Sequence, residues 1–199
     1  MRKFLQLCLP LAAACLMLAA CGEKSAPPPA FTNTDVTGLD YAKDFALKDF
    51  NGKQRTLSDF KGKAVVVFFG YTHCPDVCPT TMADLAGAMK QLGPLADKVQ
   101  VLFITVDPER DTPQLMAQYV PAFDPHFLGL IGTLAETEKV TKDFRVFYQK
   151  VPGKELGNYT IDHTAGIYVY DTQGRIRLFA RSGQGTDALV HDLKILLGA

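Results

Sequence analysis

Residues 64–106 read AVVVFFGYTHCPDVCPTTMADLAGAMKQLGPLADKVQVLFITV, and the order of patterns in this stretch decides the fold class. Ala64–Gly70 is an unbroken β-branched and aromatic run, as expected of a strand buried on both faces. From Pro79 to Leu92 the pattern turns helical: Met82, Leu85, Ala86, Met89 and Leu92 fall on one face, and Gly93-Pro94 stops it. Val99–Val106 is a second apolar run of strand length. Strand, helix and strand in that order form a βαβ unit, with parallel strands and a right-handed crossover.

Upstream, Phe45–Asp49 and Gln54–Leu57 flank an Asn51-Gly52 turn signal and are expected to form a hairpin. Downstream, Thr112-Pro113 opens a helix to about Tyr119, with Asp111 and Thr112 expected as caps. A short strand over Phe127–Ile131 and a helix over Thr133–Phe144 follow. Gly166–Tyr170 and Arg175–Ala180 are expected to pair as a hairpin about Asp171–Gly174, and Thr186–Leu197 to close the chain as an amphipathic helix. A βαβ unit followed by a hairpin and a final helix is the thioredoxin arrangement. The expected class is therefore α/β: a thioredoxin-like mixed sheet flanked by helices, with an N-terminal β-hairpin extension.

The N-terminus is read as targeting sequence. Arg2 and Lys3 precede a run from Phe4 to Ala20 that is apolar apart from Gln6, with Pro10 inside it. It ends in Leu18-Ala19-Ala20-Cys21, which resembles the bacterial lipobox, so residues 1–20 are expected as a lipoprotein signal peptide and Cys21 as the lipid attachment site. The alternative is an uncleaved signal anchor. Both tie the chain to a membrane with its domain outside the cytoplasm, on the periplasmic side. Residues 21–40, with Pro27, Pro28 and Pro29, read as lipidated cysteine and tether, and residues 41–199 as one domain. The 21 basic and 21 acidic side chains balance, which argues against a nucleic-acid partner.

Of five cysteines, Cys8 and Cys15 leave with the signal and Cys21 takes lipid, so Cys74 and Cys78 remain as thiols. The absence of tryptophan excludes a Trp-Cys-x-x-Cys motif. In an exported domain a lone close pair is a structural disulfide, a redox couple or a soft-metal site. Pro79 fixes the helix start, which places Cys78 at or next to its N-cap and Cys74 in the loop above. Both sulfurs are expected at a helix N-terminus, where the dipole favours thiolate. Two sulfurs alone rarely complete a transition-metal site, so a histidine is sought as third ligand. His126 and His191 are expected to face solvent, and His73 adjoins Cys74 too closely in sequence to reach the same centre readily. His163, in Asp162-His163-Thr164-Ala165, precedes the Gly166 strand. If that strand runs antiparallel to the βαβ pair, His163 faces the cysteine loop, at the place where thioredoxins carry a cis-proline; no proline follows Pro152.

The segments FFGYTHCPDVCPTTM, VDPERDTP and TIDHTAGIYVYD together resemble the Sco/SenC family, copper-binding proteins of cytochrome c oxidase assembly. The resemblance covers residues 41–199 and implies copper bound through Cys74, Cys78 and His163. The chemistry of the donors agrees, since thiolates suit Cu(I) and an added imidazole admits Cu(II). Asp162 is expected to orient the imidazole or to cap the strand end. Asp107, at the end of the second strand, is expected near the metal or steadying the loop, unless it serves only the Asp107-Pro108 turn. The expected function is copper delivery to the dinuclear centre of cytochrome c oxidase subunit II, with a thiol reductase, and another copper carrier, as further partners. The alternative is a thiol-disulfide oxidoreductase acting on that subunit, with Cys74 attacking and Cys78 resolving. A peroxiredoxin-like peroxidase is disfavoured, because Tyr71 and not threonine stands three residues before Cys74.

Overall fold

The computed structural model describes residues 30–154 and 158–199. The expected signal peptide, Cys21 and the tether up to residue 29 lie outside the described residues. Among the described residues, no helix is long and apolar enough to cross a membrane.

Phe31–Ala199 form one compact unit. Its strands are β1 (Thr34–Asp35), β2 (Ala46–Asp49), β3 (Gln54–Thr56), β4 (Ala64–Gly70), β5 (Val99–Thr105), β6 (Leu128–Ile131), β7 (Tyr148–Pro152), β8 (Tyr159–His163), β9 (Gly166–Tyr170) and β10 (Ile176–Arg181). The helices are α1 (Val77–Leu92), α2 (Pro113–Tyr119), α3 (Leu134–Asp143) and α4 (Thr186–Leu197). The main sheet runs β1-β10-β9-β4-β5-β6-β2-β3. β4 lies parallel to β5 from Ala64↔Val99 to Gly70↔Thr105, and antiparallel to β9 on its other side. This central position buries every residue of β4, which is why its sequence shows no polar alternation.

The βαβ unit, the hairpin of β2 and β3, and the late β9–β10 hairpin stand where the patterns placed them, within a residue or two at their ends. Asp49 closes the β2–β3 turn by accepting from the Asn51 and Lys53 amides, and Gly52 takes φ 82°, which glycine adopts without strain. α1 begins two residues before the expected Pro79, leaving that proline in the first turn, where its missing N–H is harmless. Thr112 caps α2, its hydroxyl accepting from the Leu115 amide.

Two features were not anticipated. Residues assigned to the tether contribute β1, which pairs with β10, and the amides of Thr32 and Asn33 bond the buried carboxylate of Asp192 in α4. The ordered unit thus starts ahead of residue 41, because backbone donors in a segment of tether-like composition satisfy a buried charge. The second feature is β7 and β8, a two-stranded sheet separate from the main one, with Tyr148 opposite His163.

Candidate metal centre

The end of β4 delivers the cysteine loop. Gly70 is its last residue, and a Cβ there would lie 3.0 Å from Cys78 Sγ and 2.8 Å from the Phe103 ring, so only glycine leaves room for that sulfur. Tyr71 and Thr72 then turn the chain. The Thr72 amide and hydroxyl both donate to the buried Asp111 carboxylate, at 3.1 and 2.6 Å, and Thr105 at the end of β5 donates to the same group at 2.5 Å. Asp111, expected only as a cap, therefore ties the cysteine loop to the neighbouring strand.

Cys78 is the second residue of α1 and fully buried, whereas Cys74 in the loop is partly exposed; both are free thiols. The Cys78 amide points at Cys74 Sγ, 3.4 Å away, so the helix start does supply a donor to the outer sulfur. At Cys78 the expected thiolate bias fails. Burial pushes its thiol pKa well up, and the backbone hydrogen bond from Tyr71 only partly offsets this.

His163 ends β8, and its Nε2 lies 3.4 Å from Cys78 Sγ. Its Nδ1 lies 3.2 Å from the Thr164 carbonyl, which can only accept, so Nδ1 carries the proton and Nε2 presents its lone pair to the sulfurs. Burial, the largest influence, lowers the His163 pKa and keeps the ring neutral. The rings of Phe68 and Tyr71 stand edge-on to the imidazole at 6.2 and 6.0 Å between centroids. One donor atom from each of Cys74, Cys78 and His163 lies within 4.8 Å of the others; among the described residues no other side chain joins this group. Two soft sulfurs and one unprotonated imidazole nitrogen fit copper, and a three-donor set leaves a position for an incoming ligand.

The two expected accessory carboxylates take different places. Asp162 is exposed and does not hold the imidazole; the Thr164 carbonyl occupies that role because adjacent strand residues point to opposite faces. Asp107 is buried, but its partners are the Tyr159 hydroxyl at 2.7 Å and Arg110 Nε at 2.5 Å. His126 and His191 are exposed, at 86% and 54% of their side chains, and bond Asp124 and Asp192. His73, half-exposed, bonds the Thr72 hydroxyl. The sequence assigns no role at the centre to Tyr71, Tyr159 or Arg110. The signal for Tyr159 was present: Tyr159, Ile161 and His163 alternate as one face of a strand.

The SCO1/SenC family model matches residues 34–198. The mitochondrial SCO2 homologue of Bos taurus is 44% identical over 133 residues, 66% of this chain and 50% of that protein. Protein sco1 of Schizosaccharomyces pombe is 37% identical over 147 residues, 72% of this chain and 56% of that protein. The chain spans about half the length of these relatives. Copper-bound ScoI of Bradyrhizobium japonicum shares 48% identity at a TM-score of 0.70, over 76% of this chain and 96% of that structure. Apo Sco1 of Thermus thermophilus shares 42% identity at a TM-score of 0.75, over 84% and 98%. With the match running from β1 through α4, and the fold agreeing with solved members, this chain belongs to the SCO1/SenC family.

Proposed function

We propose that this protein is a copper metallochaperone of cytochrome c oxidase assembly, holding copper through Cys74, Cys78 and His163. The observation that carries the reading is the convergence of three donor atoms within 4.8 Å, with Nε2 freed for coordination by the Nδ1–Thr164 bond. The copper-bound relatives support the choice of metal. Binding displaces the thiol protons, so the high pKa of Cys78 is overcome by the metal–sulfur bond and makes affinity rise with pH. The recipient is the dinuclear copper centre of subunit II, whose ligands replace these three stepwise through the partly exposed Cys74 side. A disulfide between the cysteines would remove two of the three donors, so a thiol reductase keeps the pair reduced and another copper carrier loads it. The domain works outside the cytoplasm, held to the membrane by lipid on Cys21.

The unequal burial of the two sulfurs supports a second reading, thiol-disulfide exchange. Cys74 thiolate would attack a disulfide of subunit II and Cys78 would resolve the mixed disulfide. The subunit gains two electrons and two protons, and this pair leaves as a disulfide. Copper titration of the reduced protein, with Cys74→Ser, Cys78→Ser and His163→Ala compared, tests the first reading. Copper held by His163→Ala as tightly as by the parent overturns the three-donor site. Disulfide reduction retained by His163→Ala, together with lost oxidase assembly, favours the chaperone over the reductase.

A further inference from the structure

We infer that Arg110 is a positioning residue for the metal centre: its guanidinium, wedged against the Tyr159 and Tyr71 rings, sets where the β7–β8 hairpin holds His163 relative to the two sulfurs. The inference rests on the copper-site reading for its metal measurements and stands apart from it in its metal-free ones.

The need for such a residue follows from topology. Cys78 lies in α1 and Cys74 in the loop that joins β4 to it, so both are carried by the main sheet and its packed helix. His163 belongs to a two-stranded sheet that shares no ladder with the main one. An isolated hairpin is marginal by itself, so contacts to the body, together with the short link from His163 to β9, decide where its end stands. One of these is the Ile161 amide donating to the Tyr71 hydroxyl at 3.0 Å. At the Tyr159 end, several more converge on the turn between β5 and α2. Arg110 Nη1 donates to the Tyr159 carbonyl at 2.8 Å, and its Cζ stands 3.5 Å from the centre of the Tyr159 ring and 5.8 Å from that of Tyr71. Its Nε donates to Asp107, which also accepts from the Tyr159 hydroxyl. Beside them Lys150 of β7 pairs with Glu109.

The turn that carries Arg110 is itself stiff, since the amides of Arg110 and Asp111 both donate to the Asp107 carbonyl, at 3.2 and 2.9 Å. Consecutive residues therefore grip the two halves of the donor set: Asp111 holds Thr72 of the cysteine loop and Arg110 holds Tyr159 of the histidine hairpin. Only a planar cation stacks on a ring while donating in its own plane, which lysine cannot reproduce. Among the described residues Arg110 Nη2 is buried without a partner, a penalty the stack and the two hydrogen bonds must outweigh.

The test uses the full chain with Arg110→Met and Arg110→Lys. In the reduced, metal-free protein, amide hydrogen exchange at Ile161 should speed up about tenfold or more in Arg110→Met, while that of Val66 in β4 stays unchanged. Copper affinity should fall about tenfold in Arg110→Met, the lower end of the range for residues that orient a ligand. On a His163→Ala background the same substitution should change affinity little, because the ligand it positions is gone. Equal losses on both backgrounds, or unchanged Ile161 exchange, would overturn the inference. Should Arg110→Met not fold, Arg110→Lys decides: it should share the losses, and full parental behaviour would show that charge alone suffices and that the wedge is wrong. A parent that binds no copper counts against the proposed function, and the exchange measurement still judges Arg110.

Discussion

At the scale of single residues, the centre is shaped by what surrounds each donor atom. Burial lowers the His163 pKa below 6.5, so between its folded value and 6.5 the unfolded chain binds a proton that the native ring does not. Stability should therefore fall as pH drops through that window and level off beneath it. The imidazole resonances of His163 in the metal-free protein should titrate with a midpoint below 6.5, and a midpoint at or above it would contradict the buried, Nδ1-protonated ring. Gly70 is constrained from the other side. A Cβ there would stand 2.8 Å from the Phe103 ring and 3.0 Å from Cys78 Sγ, and both neighbours are buried and held. Gly70→Ala should lose about 1–3 kcal/mol in urea denaturation, the range for overpacking a close-packed core. It should also weaken copper binding, because the sulfur is among the atoms that must move.

Between elements, Asp111 shows why a cap-like residue in the sequence can carry more than a cap. Asparagine there would keep an acceptor but turn an NH₂ toward donors now satisfied by a carboxylate, the Thr72 amide, the Thr72 hydroxyl and the Thr105 hydroxyl. Asp111→Asn should cost about 1–3 kcal/mol by chemical denaturation, the range for a buried donor left unmade. It should also loosen the cysteine loop, as faster exchange of the Thr72 amide. The contrast with Thr112 is a matter of burial: both stand just before α2, but only Asp111 reaches across to another loop, and sequence shows spacing and not reach. The same distinction governs which elements were legible. β4, α1 and β5 announce themselves because both sheet faces are covered and Gly93-Pro94 ends the helix sharply. β7 and β8 are half-exposed, and a five-residue alternation among Gly153, Gly157 and Asn158 is outweighed by loop composition. The placement of His163 was nonetheless legible, because it needed only the direction of β9, which does run antiparallel to β4.

Over the whole molecule, one buried charge stands at the boundary of the fold, beside the β1–β10 pairing. Asp192 is fully buried in α4, and burial pushes its pKa up, yet the amides of Thr32 and Asn33 with His191 outweigh that and leave it lowered. A carboxylate with a lowered folded pKa contributes stability above 3.8 that is lost as pH falls through the folded value. Composition could not reveal this, since two of the donors are main-chain amides whose residue identities carry no trace of their role, and Asn33, whose side chain also donates, is an ordinary residue of a tether-like segment. A fragment beginning at Phe31 keeps them, and one beginning at Tyr41 leaves the carboxylate with His191 alone of its present partners. The shorter fragment should be less stable by about 1.5–3 kcal/mol, the range for hydrogen bonds to a charged group. Its Tm should be lower by roughly 3–12 °C for a domain of this size. Asp192→Leu separates this cause from the simple loss of β1. In the longer fragment it should lower Tm, because it removes the acceptor for several donors. In the shorter one it should change Tm much less, because most of those donors are already gone. An equal fall in both fragments would show that the N-terminal segment stabilises through β1 pairing and not through Asp192.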